Sequence, residues 1–100
     1  MNGQLLKQTV LITNPAGFHM RPIGAFVQLA SSFKSKVTVS RDDRCANGKS
    51  MMDMMAQMLS MPDTELTLEV EGPDAHDCLQ ALLEIFTAPP EVDASDAIHQ

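Results

Sequence analysis

A short run, Gly17-Phe18-His19-Met20-Arg21-Pro22, sets an imidazole where an extended segment gives way to a helix. The start of a helix carries unpaired backbone N–H groups and the positive end of the macrodipole, so it accepts an anion. Free imidazole titrates at about 6.5, which makes it a good nucleophile near neutral pH. A phosphoryl group on that ring keeps a high transfer potential and leaves again. Arg21, two residues on, is placed to meet the added negative charge. The chemistry suggested is reversible phosphoryl acceptance on His19, in which the protein mainly positions groups and balances charge. The remaining histidines suggest no such role: His76 falls on the polar side of a predicted helix, and His99 lies in the C-terminal tail.

A second cluster begins at Gly48-Lys49-Ser50. Ser50 and Asp53 have the spacing of a capping-box variant, which makes Ser50 a helix N-cap. A phosphate on Ser50 would also sit at a helix start and would add negative charge to the surface beside it. Lys49 adds positive potential there. Six of the eight methionines (Met51, Met52, Met54, Met55, Met58 and Met61) follow within eleven residues. So short a helix cannot bury them all, and flexible thioethers suit a surface that meets several partners. Met20, Lys49, Met51, Met52 and Met55 are therefore the candidate docking residues. Soft-metal binding by the methionines is a further reading, weakened by the lack of a CxxC pair. No metal and no cofactor are expected.

Positioning these residues requires seven elements. Residues 5–13 read as a strand with Leu6, Val10 and Ile12 on one face, interrupted by Gln8. Asn14-Pro15-Ala16-Gly17 turns the chain. A helix from Met20 to Phe33 places Ile23, Phe26, Val27, Ala30 and Phe33 at helical spacing, and Pro22 is compatible with its first turn. Residues 36–40 form a second strand with Val37 and Val39 inward. Arg41-Asp42-Asp43-Arg44 turns into a short third strand around Cys45-Ala46, and the methionine helix runs to about Leu59. Residues 65–71 alternate, with Leu66, Leu68 and Val70 inward. A last helix from Asp74 to Thr87 buries Ala75, Cys78, Leu79, Leu82, Leu83 and Phe86. The order is βαββαβα. Such strands predict an α+β fold with a four-stranded antiparallel or mixed sheet, covered on one face by helices. Lys7, Thr9, Leu11, Thr38, Thr67 and Glu69 should line the wet face.

The chain of 100 residues fits one domain over residues 1–88, and residues 89–100 read as a mobile, acidic, Pro-containing tail. A formal net charge of -6 excludes the basic face that nucleic acid needs. Cys45 and Cys78 read as buried or partly buried thiols of a reduced compartment. Met1-Asn2-Gly3-Gln4 lacks the features of a signal peptide, and no apolar run reaches membrane length, so a cytoplasmic protein without membrane insertion is expected.

The motif around His19, the element order, and Gly48-Lys49-Ser50-Met51-Met52 about thirty residues on together resemble HPr, the histidine-containing phosphocarrier of the bacterial phosphoenolpyruvate-dependent sugar phosphotransferase system. The similarity covers about residues 5–87. It implies the open-faced β-sandwich of that family. It also implies that His19 takes a phosphoryl group from enzyme I on Nδ1 and passes it to EIIA domains, with Arg21 stabilising the phosphate. The protein would then be a substrate of enzymes, with no turnover of its own. Ser50 matches a serine that HPr kinase, a further partner, phosphorylates in many relatives. A regulatory paralogue, acting through Ser50 and docking without sugar transport, is the alternative. Phe18, Met20, Ile23 and Gln57-Met58 depart from the residues usual in the family at these positions.

Overall fold

The computed structural model describes residues 4–87, so the expected tail lies outside the described residues. The order is β1 (Gln4–Leu11), α1 (Met20–Ser31), β2 (Lys36–Arg41), β3 (Arg44–Asn47), α2 (Met51–Gln57), β4 (Glu65–Gly72) and α3 (Ala75–Thr87). This is the βαββαβα order that the hydrophobic periods predict. The strands form one antiparallel sheet in the order β1-β4-β2-β3.

The alternating residues of β2 and β4 send Val37, Val39, Leu66, Leu68 and Val70 into the core, where all five are buried. Ile23, Phe26 and Ala30 of α1 and Ala75, Cys78, Leu79 and Leu82 of α3 meet them there. Val27, Phe33, Leu83 and Phe86 pack at the margin and are only partly buried. Phe18, Phe26 and Phe86 meet as a triad, with ring centroids 5.2 to 6.1 Å apart. Beyond area burial, each such pair stabilises by about 0.5–1.5 kcal/mol. β1 is an edge strand, and Leu6 and Val10 are half-buried while Gln8, between them, stays exposed.

The opposite face of the sheet carries cross-strand polar pairs. Lys7 faces Glu69, with Nζ 3.5 Å from Oε2, and Thr9 faces Thr67. Lys7, Thr9 and Leu11 are exposed as expected, whereas Thr38, Thr67 and Glu69, flanked by strands on both sides, are half-buried. Cys45 corrects the reading of two sheltered thiols. It pairs with Ser40 in β3, on the face away from the buried Ala46, and is exposed.

Element ends shift by one or two residues. α1 stops at Ser31 because the N–H groups of Ser32 and Phe33 turn to Leu29 O and Ala30 O, tightening the last turn. β1 stops at Leu11, and Ile12 bonds instead to Thr64 and Asp63. α2 stops at Gln57 rather than Leu59.

Candidate functional site

His19 is the N-cap of α1, in extended conformation, and its imidazole is half-exposed. Two residues ahead of it the backbone turns through Gly17, whose φ of 78° lies in the left-handed region. A side chain at Gly17 would strike the carbonyl of Ser60. Phe18 then forms a two-way backbone bridge with Ser60, at 2.8 and 3.1 Å, while its ring enters the phenylalanine triad. The residue before His19 is thus fixed through both backbone and ring, and His19 itself emerges at the surface.

The start of α1 breaks the usual rules for a stable helix end. Its N-cap provides no side-chain hydrogen bond, and its first turn has no acidic residue. Instead it carries Arg21, exposed and without a hydrogen bond or ion pair among the described residues. A cation beside the positive end of a helix dipole is unfavourable. Pro22 removes one N–H from the turn, and the first bond of the helix runs from Ile23 N to His19 O at 2.9 Å. The remaining donors of the first turn have no place within the helix. Unpaired donors, a guanidinium and an imidazole therefore meet at one exposed corner, an arrangement that an anion completes.

α2 lies beside this corner. Seven residues are too few for a helix to hold by propensity alone, and both ends are clamped. The Ser50 hydroxyl accepts the Asp53 N–H at 3.1 Å, as the capping spacing predicts. The Asp53 carboxylate reaches back past Ser50 to the Asn47 N–H at 2.8 Å. At the other end Arg41 donates to Gln57 O at 3.1 Å.

The clamped helix sorts its methionines. Met54 and Met58 are fully buried, Met55 packs half-buried against the core, and Met51 and Met52 are exposed. The Met51 methyl lies 3.8 Å from where a Cβ on Gly24 would stand, which seats it on α1 five residues after His19. Met20 follows His19 directly and is exposed, and Met61 borders the Gly17 turn. Met20 is thus next to His19 in the chain, and Met51 lies against the helix that His19 caps.

The Lys49 side chain reaches the far end of α1. Its ammonium donates to Phe33 O at 2.7 Å, just beyond the C-terminal end of α1. Twelve residues of helix put that end about 18 Å from the end at His19. There it satisfies a carbonyl and complements the negative end of the dipole. His76 is solvent-exposed, with Nδ1 3.8 Å from the Asp77 carboxylate, and His99 lies outside the described residues. Ser60 carried no signal in the sequence, because its pairing with Phe18 is long-range. Gly17 carried one: a glycine just before the candidate nucleophile marks a backbone that must approach another closely.

No helix among the described residues is long and apolar enough to cross a membrane. Residues 6–88 match the family described as PTS HPr component phosphorylation site. Among curated relatives, the phosphocarrier protein HPr of Treponema pallidum is 43% identical over 82 residues, covering 82% of this chain and 92% of that one. The phosphocarrier protein HPr of Neisseria meningitidis is 38% identical over 82 residues, covering 82% and 91%. Among solved structures, HPr-C-His from Thermoanaerobacter tengcongensis superposes with a TM-score of 0.76 at 34% identity, covering 83% of this chain and 92% of that one. The phosphocarrier protein HPr from Bacillus anthracis gives 0.75 at 28% identity, covering 82% and 96%.

Proposed function

The chain belongs to the HPr family of phosphocarrier proteins, and from that membership and the geometry of its exposed corner we propose that His19 is the phosphoryl acceptor. The donor is phosphorylated enzyme I and the recipients are EIIA domains of sugar uptake systems. Nδ1 of His19 forms a bond to phosphorus as the bond to the donor breaks, and the reverse exchange releases the group to the recipient. The observation that carries this reading is the start of α1, left uncapped and cationic at a cost in helix stability. A phosphate on His19 supplies the missing negative charge. Arg21 meets it from an exposed position, so the group is stabilised without being trapped. An HPr is a phosphocarrier and not a catalyst in the usual sense.

Met20, Met51, Met52 and Met55 form the docking surface for both partners; Met20 follows His19 in the chain and Met51 rests on α1 at Gly24. Ser50 gives this surface a regulatory reading. A phosphate placed there by an HPr kinase would sit next to Met51 and Met52 and three residues before the Asp53 carboxylate, so it would add charge where partners dock.

The test is ³¹P NMR after incubation with phosphoenolpyruvate and enzyme I. An acid-labile phosphohistidine signal is expected, absent in His19→Ala with the fold intact. An undiminished signal in that variant refutes the assignment of His19. An active regulator that never passes phosphate to any EIIA would instead favour the paralogue reading.

A further inference from the structure

The methionines among the described residues differ widely in exposure, with Met55 half-buried between the extremes. Met52 is 84% exposed, Met61 73%, Met20 59% and Met51 36%, whereas Met54 and Met58 are closed to solvent. Among the described residues, the exposed four account for most of the large apolar side chains left on the surface; the others are Leu59, and Leu5 and Leu11 of β1. Three of the four have a link to the segment around His19, and Met52 follows Met51 in the chain. Met20 is the neighbour of His19 in sequence, Met51 rests on Gly24, and Met61 Cα would lie 3.2 Å from a Cβ at Gly17. An exposed thioether is oxidised readily, and oxidation turns a flexible apolar group into a polar one.

We propose that Met20, Met51, Met52 and Met61 form a redox-sensitive modification site through which peroxide weakens docking at His19. This site rests on the methionine docking surface proposed for enzyme I and EIIA, to which Met20, Met51 and Met52 belong, with Met61 beside the Gly17 turn. In the reaction a thioether sulfur attacks one peroxide oxygen and the O–O bond breaks. The sulfur is oxidised by two electrons to the sulfoxide, and the other oxygen leaves as water. The sulfoxide oxygen is a strong acceptor that an apolar partner surface leaves unpaired. The side chains of His19 and Arg21 carry no thioether and are not oxidised with the four methionines, so the chemistry survives and only docking is lost. Met54 and Met58 lie in the core and escape, so the fold survives too. The change is reversible by methionine sulfoxide reductases.

The test treats the full chain, in a Cys45→Ser background that removes the exposed thiol, with graded hydrogen peroxide. Sulfoxides are mapped by peptide mass, and phosphoryl acceptance from enzyme I is followed against carrier concentration. Oxygen should appear at the four exposed methionines before Met54 and Met58. The KM for the carrier should rise roughly tenfold for a sulfoxide left unpaired at the interface, with kcat little changed and recovery after reductase treatment. The M20L/M51L/M52L/M61L variant lacks the four thioethers, so its KM, measured against its own untreated value, should not respond to peroxide. An equal KM rise in that variant overturns the proposal, as does an unchanged KM in fully oxidised protein. Unoxidised Met52→Asp separates redox sensitivity from docking. If it raises KM while sulfoxides do not, the redox inference alone fails. If it leaves KM unchanged, the docking reading fails and takes the inference with it.

Discussion

Phe18 and Ser60 exchange both of their backbone hydrogen bonds, Phe18 N–H to Ser60 O at 2.8 Å and Ser60 N–H to Phe18 O at 3.1 Å. This bridge joins the segment entering α1 to the segment leaving α2. It therefore sets His19 and the methionine helix in one frame. Gly17 permits the approach, since its φ is 78° and a Cβ would meet the Ser60 carbonyl.

Gly17→Ala should therefore destabilise the protein by about 2 kcal/mol or more, from left-handed strain and a clash with rigid backbone. Urea unfolding measures that loss. Because the bridge also orients His19, phosphoryl acceptance should slow even under conditions where the variant remains folded. Wild-type stability in Gly17→Ala would mean that the turn does not require glycine.

The core faces were legible because each obeys one period. Ile23, Phe26 and Ala30 repeat as a helix face, and Leu66, Leu68 and Val70 as a strand face, and all six are buried. The places of His19 and Arg21 were legible because the extended segment gives way to a helix there, and they are the N-cap and first turn of α1; their roles rest on the family resemblance. The remainder depends on contacts between distant positions. Nothing near Lys49 announces that its ammonium reaches Phe33 O, and nothing near Ser60 announces Phe18. Cys45 looks like any small apolar residue until the register with Ser40 sets its face. The methionine cluster was visible, but which members face inward required the clamped ends of α2.

Asp74 ties the loop between α1 and β2 to the start of α3. Its carboxylate accepts from the Ser35 hydroxyl at 2.6 Å and from the Ser35 and Lys34 N–H groups at 2.9 Å. The Ser35 hydroxyl, followed by the Lys34 amide, holds the carboxyl below the ordinary aspartate value of 3.8. A depressed folded value means that the unfolded chain takes up the proton first as pH falls. The stabilisation is then complete above 3.8 and is lost as pH drops through the folded value. Asp74→Asn should lower the melting temperature at neutral pH and flatten its decline in acid. Parallel acid limbs in the two proteins would exclude this contribution.

The two thiols should react very differently. Burial, with a further push from the Asp74 charge, raises the Cys78 thiol to about 11, while Cys45 is exposed on the outer face of the sheet. The thiolate is the reactive form. At neutral pH a thiol reagent such as iodoacetamide should label Cys45 alone in the folded protein, and both cysteines only after denaturation. Labelling of Cys78 at a comparable rate without unfolding would show that the core around α3 opens readily.

Arg21 allows stability and function to be set against each other. Its charge lies at the positive end of the α1 dipole, in a turn without acidic residues and with no partner among the described residues. A structural role would make Arg21→Glu destabilising. A guanidinium kept for the phosphate predicts the reverse: the carboxylate complements the dipole and raises stability by about 0.3–1 kcal/mol, seen as a higher midpoint in urea. The same carboxylate repels the incoming phosphate, so acceptance from enzyme I should fall while the fold strengthens. Arg21→Gln should lie between the two in both measurements. A destabilised Arg21→Glu that still accepts phosphate at the wild-type rate would make Arg21 a structural residue and leave His19 without its charge partner.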